Sequence, residues 1–270
     1  IAVPTPLTAA KTADLSAVFA VCEEIAAVIQ AGNLIILEST VPIGTTDQIN
    51  ERLTSCRPDL EFPRAGENPS VDCVSIAYCP ERVLPGRILS ELVNNDRVVG
   101  GLTEQCAVRA KDFYRTFVKG KCFLTDAKTA EMCKLAENAY RDLNIAYANE
   151  LSTVAERLGI DVWELIDLAN RHPRVNILKP GPGVGGHCIA VDPHFLAQAS
   201  PTETLLIQRA RVINDARPDW VVEKVTTEIQ ERGRNLGDIS IACFGLTFKK
   251  DVDDLRGSPA KHVVERLSEF

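Results

Sequence analysis

Apolar positions in the first part of the chain change from helical spacing to short continuous runs. Between residues 14 and 31 they recur every three or four residues, which predicts an amphipathic helix. Residues 34–37, 75–78 and 97–100 are short apolar runs typical of buried strands, and residues 1–3 begin the chain as a further predicted strand. Helices and strands in alternation predict a parallel α/β sheet.

Polar residues follow these predicted strands at positions where ligands often bind. Ligands of open α/β sheets bind beyond the carboxyl ends of the strands. Thr5 follows the first predicted strand, Thr40 and Thr46 follow the second, and Glu81 follows the third. We therefore expect these side chains on ligand-facing loops.

The longest helical pattern in the sequence covers residues 129–158. Lys134, Asn138 and Arg141 are spaced so that they share one face of this helix. On the residues alone, a solvated polar face is the alternative to a functional face. The positions expected to pack on the opposite side are Cys133, Ala136, Ala139, Tyr140, Leu143 and Tyr147.

The last part of the chain begins with another apolar run. Residues 239–245 are predicted to form the first strand of a second α/β domain, and residues 245–259 are predicted to form a long polar loop. Lys249 and Arg256 lie on this loop. Taken alone, the two residues indicate only exposed cations.

A glycine-rich segment, residues 181–188, is the most informative part of the chain. Glycine lets a ligand approach the backbone closely, and a thiol on such a loop is able to attack a carbonyl carbon. Residues 181–186 also match G-x-G-x-x-G, but neither an apolar strand before them nor a clear helix start after them completes a dinucleotide site. The segment therefore predicts a nucleophile loop that carries Cys188. We expect the neighbouring His187 to shape the pocket or to form a hydrogen bond there, because adjacent residues of an extended chain point apart; direct proton transfer with Cys188 is the alternative.

The amino-acid composition and the net charge indicate which class of protein this is. Hydrophobic residues make up 45% and charged residues 25% of the 270 residues, as in globular enzymes of one or two domains. The sequence shows no secretory signal pattern and no apolar stretch near the ~20 residues that span a bilayer. The formal charge of −7 disfavours a nucleic-acid partner. We expect a soluble cytoplasmic protein without a membrane partner.

The nine cysteines are scattered along the chain and odd in number. This pattern predicts reduced thiols rather than a disulfide framework. Without a paired C-x-x-C motif, neither a structural zinc site nor another metal site is expected. Cys22 and Cys243 lie in apolar runs and are predicted to pack in the core.

Three long motifs occur in order: Tyr78-Cys-Pro-Glu-Arg-Val-Leu-Pro-Gly86, Arg171-His-Pro-Arg-Val-Asn-Ile177 and Gly181-Pro-Gly-Val-Gly-Gly-His-Cys-Ile-Ala-Val-Asp-Pro193. They resemble the nucleotide-sugar 6-dehydrogenases, the family that includes UDP-glucose and GDP-mannose dehydrogenases. They are most similar to the branch that acts on UDP-N-acetyl-D-mannosamine. The resemblance covers essentially the whole chain.

The resemblance implies an α/β fold in three parts. Residues 1–125 correspond to part of a Rossmann-like NAD domain, residues 126–234 to a central helical domain for dimerisation and catalysis, and residues 235–270 to the start of a second Rossmann-like, nucleotide-sugar domain. It implies NAD as cofactor and a homodimer through the helix at 129–158. In the family the glycine-rich NAD loop precedes the segment matched by residue 1, so we expect the central portion of a longer enzyme.

The resemblance also implies catalytic roles. Lys134 matches the active-site lysine and Asn138 its partner asparagine, while Thr40 and Glu81 match positions near the attacking water. In the UDP-glucose branch a second glutamate stands where this chain has Pro85, so Glu81 alone remains the candidate for activating water.

The resemblance further implies a binding surface for a UDP-sugar. His172 and Arg174 are two residues apart and would point to one side of an extended loop, which in the family contacts substrate held by the neighbouring subunit. Thr5 and Thr46 are the expected cofactor contacts. The expected substrate contacts are Arg82, Val83, Arg141, His172, Arg174, Gly185, Phe248, Lys249 and Arg256.

The implied reaction is the four-electron oxidation of the C6 alcohol to an acid. Cys188 would add to the aldehyde formed first, and the adduct would lose a second hydride to become a thioester that water hydrolyses. Positive charge on Lys134 would favour the thiolate, and Lys134 or Asp192 would transfer protons. Asn138 would donate a hydrogen bond to the developing oxyanion.

Several alternatives stay open. The substrate could be UDP-N-acetylglucosamine, UDP-glucose or GDP-mannose within the same family. A two-electron dehydrogenase of the hydroxyacid type shares a helix-rich middle region but needs no thiol such as Cys188. A non-catalytic dimerising fragment is the third class.

Overall fold

The computed structural model describes residues 1–64, 66–67, 69–83, 86–249 and 253–270. This part of the chain divides into two compact units. The first unit comprises Ile1–Glu137 and His194–Pro201, and the second comprises Asn138–Pro193 and Thr202–Phe270.

A four-stranded sheet organises the first unit. Its strands are β1 (Leu34–Leu37), β2 (Ser75–Tyr78), β3 (Arg97–Gly101) and β4 (Cys122–Asp126), and they neighbour one another in chain order. The pairs β1–β2 and β3–β4 are parallel, whereas β2–β3 is antiparallel. The three strands predicted over 34–37, 75–78 and 97–100 are confirmed, and the predicted parallel pairing holds for two of the three strand pairs, with β2–β3 as the exception.

The connections between strands explain the mixed sheet. A parallel pair needs a crossover, usually a helix packed on the sheet. Helix α2 (Thr45–Cys56) connects β1 to β2, and α4 (Glu104–Tyr114) connects β3 to β4; both bury a face. Helix α3 (Ile88–Asn94), between β2 and β3, buries none of its side chains. That connection therefore does not cover the sheet, and β3 runs back antiparallel to β2.

One core cluster of the first unit packs β1 and β2 against two helices. Helix α1 (Ser16–Ala26) is shorter than the predicted 14–31, and Val28 beyond it is 73% exposed. Its spacing brings Val18 and Cys22 to the sheet, which confirms the packing role predicted for Cys22. The other central members of the core are Leu37, Ile49, Leu53, Ile76 and Tyr78.

The first residues of the chain lie along β1 without forming a strand. The Ile1 amino group donates to the Ile36 carbonyl at 2.5 Å, and the Glu38 amide donates to the Ile1 carbonyl at 2.9 Å. The Val3 amide donates instead to the Ser39 side chain at 2.7 Å. At Val3 a side-chain oxygen takes the place of the backbone carbonyl that a strand would pair with. The strand predicted over 1–3 therefore does not form.

Helices dominate the second unit. Helix α5 (Ala127–Leu158) starts in the first unit and continues into the second, which confirms the long helix predicted over 129–158. The other helices of this unit are α6 (Val162–Ala169), α8 (Leu205–Glu231) and α9 (Pro259–Leu267), whereas α7 (Asp192–Ala199) begins in the second unit and lies mostly in the first. Ser258 caps α9 by accepting from the Lys261 amide at 3.4 Å, and Pro259 occupies its first turn. Across the described ranges, no helix has the length and apolar character to cross a membrane.

The strand predicted over residues 239–245 is absent. These residues follow a 3₁₀ turn (Leu236–Asp238) as irregular chain, and Phe244 is 96% exposed. An apolar run becomes a strand only when a neighbouring strand pairs with it, and none does so within the described residues. Cys243 is consequently exposed, so its predicted packing role was wrong.

One predicted face of α5 is only partly buried. Ala139 is 4% exposed, whereas Tyr140 is 64% and Tyr147 50% exposed, and Ala136 is also exposed. Spacing predicted that these residues share a side, but it does not decide whether another element covers that side.

Candidate active site

The predicted site residues divide between the two units. In the first unit, Thr5 and Thr40 meet beyond the carboxyl end of β1. The Thr5 hydroxyl donates to the Thr40 carbonyl at 2.6 Å, and both residues are partly buried. This edge of the sheet has the position and the polar groups expected for a cofactor loop.

Thr46 is engaged within the protein. It is fully buried near the start of α2, and its amide and hydroxyl donate to Glu131 Oε1 at 2.8 and 2.6 Å. The Gly44 amide donates to Glu131 Oε2 at 2.5 Å. Burial raises the pKa of Glu131, and these three donors oppose that rise. The carboxyl group thus occupies the amino end of α2, so Thr5 fits a cofactor contact better than Thr46 does.

Glu81, Arg82 and Lys134 lie close together beyond β2. Lys134 Nζ donates to the Glu81 carbonyl at 2.8 Å. Arg82 donates to Glu137 Oε1 at 2.8 Å and to the Asp96 carbonyl at 2.6 Å, so its guanidinium already has partners. The adjoining Val83 is partly buried, whereas Pro85 lies outside the described residues.

A buried arginine next to this group was not predicted. Arg97 is 4% exposed, and its guanidinium lies 3.5 Å from Glu81 Oε2 and 4.0 Å from Glu38 Oε1. It also stacks over the Tyr114 ring at 4.8 Å. Burial raises the pKa of both Cys79 and Tyr114 beside it. The signal in the sequence was an arginine at the start of an otherwise apolar strand.

In the second unit, the glycine-rich segment packs tightly against the loop that carries Phe248. A Cβ on Gly185 would lie 2.5 Å from the Gly257 carbonyl oxygen and 2.8 Å from Phe248 Cβ. A Cβ on Gly186 would lie 2.9 Å from the Phe248 ring. Glycine is required here because the backbones approach closely. Cys188 follows on this segment as an exposed thiol outside any disulfide.

The chain around Cys188 is irregular, and no strand lies directly before residue 181. The segment therefore lacks the strand–loop–helix context of a dinucleotide fingerprint, as predicted. The Cys188 carbonyl accepts from the Val191 and Asp192 amides at 3.0 and 2.9 Å, and α7 begins there. Asp192 is 2% exposed and accepts from Asn138 Nδ2 at 2.5 Å. The structure thus joins Asn138 to Asp192, the second of which the sequence placed four residues after the thiol.

The amino end of the same segment is held by a buried polar network. The Gly181 amide donates to Asn149 Oδ1 at 2.9 Å, and Asn149 Nδ2 donates to Asn214 Oδ1 at 2.9 Å. Asn214 donates to Asp142, which also accepts from Arg211 at 2.6 Å. The four side chains of this network, Asp142, Asn149, Arg211 and Asn214, were not predicted as site residues, because they lie on helices and belong to no motif.

Arg256 is anchored by a neighbouring carboxylate. Its Nε and Nη2 donate to Asp254 Oδ1 and Oδ2, each at 2.9 Å. His187 Nε2 lies 3.4 Å from the same Asp254 Oδ2. Lys249 is partly buried, and its carbonyl accepts from the Thr247 hydroxyl at 2.8 Å. The structure therefore assembles the segment of Cys188 with the loop of Phe248, Lys249 and Arg256 inside one unit.

The loop with His172 and Arg174 is built from turns and is not extended. Asn170 closes it with two bonds to Ile177, at 2.7 and 3.0 Å. The Arg174 amide donates to His172 Nδ1 at 3.3 Å. The prediction that an extended loop points both side chains to one side was therefore wrong. Both side chains are exposed, as is that of Arg141.

Comparison with known proteins identifies the family of the chain. The UDP-glucose/GDP-mannose dehydrogenase family matches at residues 1–118 through its NAD binding domain and at 128–216 through its central domain. The chain is 53% identical, over 99% of its length and 62% of the relative's, to an NDP-N-acetyl-D-galactosaminuronic acid dehydrogenase of Ralstonia nicotianae.

Two further similarities have the same character. A UDP-N-acetyl-D-mannosamine dehydrogenase of Escherichia coli (strain K12) is 50% identical over 100% of this chain and 65% of the relative. The structure of a UDP-D-ManNAc dehydrogenase from Pyrococcus horikoshii superposes with a TM-score of 0.89 at 42% identity, over 98% of this chain and 61% of that one. The chain thus spans 62–65% of the lengths of the two curated relatives. This protein chain belongs to the UDP-glucose/GDP-mannose dehydrogenase family.

Proposed function

We propose that the full-length protein oxidises the C6 alcohol of a UDP-N-acetylhexosamine, UDP-N-acetyl-D-mannosamine, to the uronic acid with NAD as oxidant. The observation that carries this proposal is the exposed thiol of Cys188 on a glycine segment packed against Phe248. The names of similar proteins support the substrate class, and they include both mannosamine and galactosaminuronic acid enzymes.

The chemistry balances as two oxidations and one hydrolysis. Loss of a hydride and a proton converts the alcohol to an aldehyde. The Cys188 thiolate adds to the aldehyde carbon, and the adduct loses a second hydride to become a thioester. Water then cleaves the C–S bond, which releases the acid and restores the thiol. NAD, when bound, accepts one hydride in each oxidation, so two NAD are reduced per sugar.

Asn138 is proposed to orient Asp192. Its Nδ2 donates to the buried Asp192 carboxylate, and Asp192 begins the helix that follows the thiol. The Asn138 amide donates one N–H to Asp192, and its second N–H stays available for an oxyanion. Asp192 and Lys134 are the proposed proton carriers, and Glu81 and Thr40 stay the predicted residues near the attacking water.

A homodimer through α5 is proposed as the working assembly. Tyr140, Tyr147 and Val154 recur every seven residues on α5 and are 64%, 50% and 49% exposed. An apolar stripe at this interval is the pattern of a helix–helix contact. A cytoplasmic location also stays a prediction.

Stoichiometry tests the proposal. The full-length protein should reduce two NAD per UDP-N-acetyl-D-mannosamine consumed, without release of aldehyde. The same assay is run on other nucleotide sugars for comparison: UDP-N-acetylgalactosamine, UDP-N-acetylglucosamine, UDP-glucose and GDP-mannose. One NAD per sugar with accumulating aldehyde would favour the two-electron class, and no turnover with any nucleotide sugar would reject the function.

Cys188→Ser isolates the role of the thiol. This variant should form no acid, because a serine hydroxyl is a weaker nucleophile without a dedicated base. Cys243→Ser is the matched control, since Cys243 is also exposed and lies outside the glycine segment. Wild-type acid formation by Cys188→Ser would remove the thiol from the mechanism.

Subunit mixing tests whether a site needs two chains. Arg174→Ala and Cys188→Ser subunits should each be impaired alone. If Arg174 acts on the neighbouring site, one site of the mixed dimer keeps a native thiol and the partner's native arginine. The mixed dimer should then have about half of the wild-type activity, so an equal mixture in which half of the dimers are mixed should reach about a quarter. Confirmed subunit exchange without recovered activity would show that each site is built within one chain.

A further inference from the structure

We propose that Asp254 is a positioning residue that links the Cys188 segment to the substrate arginine Arg256. The inference rests on the proposed function, because it gives Asp254 a part in the same reaction. Asp254 had no role in the sequence analysis.

The geometry of Asp254 is that of a bridge between two segments. Oδ1 accepts from the Arg256 amide at 3.0 Å and from Nε at 2.9 Å, and Oδ2 accepts from Nη2 at 2.9 Å. The same Oδ2 lies 3.4 Å from His187 Nε2, and His187 immediately precedes Cys188. The Arg256 guanidinium holds the pKa of Asp254 well below its usual range, so the bridge is ionised at neutral pH.

Arg256 remains able to bind substrate while Asp254 holds it. The Asp254 side chain is 19% exposed and that of Arg256 is 75% exposed. Asp254 uses Nε and Nη2, which leaves the Nη1 edge of the guanidinium fork for an anion. A diphosphate oxygen on Nη1 would therefore bind an arginine whose orientation is already fixed.

A second contact supports the same link from the other side of His187. Gly186 packs directly against the Phe248 ring, since a Cβ added to Gly186 would lie only 2.9 Å from Phe248 Cε2. Phe248 and Asp254 are six residues apart in the sequence, and Gly186 and His187 are adjacent. Phe248 and Asp254 therefore contact the two residues before Cys188, since Phe248 packs on Gly186 and the Asp254 carboxylate lies 3.4 Å from His187 Nε2.

Asp254→Asn tests the charge at nearly constant shape, with Asp253→Asn as the matched control. Asp253 is exposed and is the adjacent carboxylate. In the full-length enzyme, Asp254→Asn should lower kcat/KM about tenfold, the low end for loss of charged hydrogen bonds. Asp253→Asn should match wild type, and the melting temperatures of both variants should agree with it.

A double-mutant cycle separates a link from two unrelated defects. His187→Ala should also lower kcat/KM, and the double variant with Asp254→Asn should lose little more than the worse single variant. Losses that multiply would show that the two residues act independently. That result, or an Asp254→Asn variant equal to Asp253→Asn, would overturn the proposal.

Alkylation of Cys188 gives a readout that needs no turnover. Iodoacetamide labelling, followed by peptide mass spectrometry, should be about threefold faster at Cys188 in Asp254→Asn, because the contact with His187 is weakened and the segment that carries the thiol is released. Labelling of exposed Cys243 in the same sample should not change. Unchanged labelling of Cys188 would count against the link. If the wild-type enzyme is inactive but Cys188 is labelled faster in Asp254→Asn than in the wild type, the proposed function is rejected and the link is kept.

Discussion

Replacement of Gly185 by alanine should disturb the packing of the Cys188 segment. The new Cβ would lie 2.5 Å from the Gly257 oxygen, 2.6 Å from Pro259 Cδ and 2.8 Å from Phe248 Cβ. Favourable carbon contacts lie at about 3.5–4.0 Å. Two of the three neighbours are a backbone oxygen and a proline ring, which no side-chain rotation moves away. The overlap must therefore be relieved by a shift of the backbone.

The cost follows from the way that packed sites respond to an added methyl group. Overpacking typically costs about 1–3 kcal/mol. A backbone oxygen on one side of the Gly185 Cβ places the expected loss near the middle, about 2 kcal/mol, a factor of about 30 in the unfolding equilibrium.

Urea denaturation followed by tryptophan fluorescence measures this loss in the correct part of the molecule. Both tryptophans of the chain, Trp163 and Trp220, lie in the second unit with Gly185. Gly181→Ala is the matched control in the same segment, since no atom lies within 4 Å of its added Cβ and its φ is outside the left-handed region. Equal stabilities of the two variants would refute the overlap argument.

Two further predictions concern buried charge and a buried thiol. Arg211→Met should lower the free energy of unfolding by about 3–5 kcal/mol, because it leaves the 1%-exposed carboxylate of Asp142 without its ionic partner. Arg209→Met, on the exposed side of α8, should lower it little in the same urea titration. Burial raises the pKa of Cys73 from 9.0 to about 11, so its contribution to stability should be complete below pH 9 and decline as pH rises towards 11. Iodoacetamide at pH 8 should label Cys243 and spare Cys73; equal labelling of the two would contradict this burial.

Local pattern was sufficient for several of the elements and for the loop that carries Cys188. Apolar runs predicted β1, β2 and β3, and helical spacing predicted α5, because both signals depend on residues close together in the chain. The glycines around Cys188 correctly predicted a loop and not a dinucleotide fingerprint. Motif resemblance then indicated the family, which the comparisons confirmed.

Pairing over long distances decided the rest. The antiparallel β2–β3 pair, the irregular course of residues 239–245 and the exposure of Cys243 depend on which element lies alongside, and no local spacing contains that information. The same holds for the bridge through Asp254. It joins residues that are far apart in sequence, and its carboxylate resembles any other on a polar loop until the fold places it against Arg256 and His187. The sequence by itself thus determined which chemical groups this protein carries and on which elements. Only the tertiary structure decided which of them act together, because hydrogen bonds and ion pairs act over a few ångströms in space, whatever the separation along the chain.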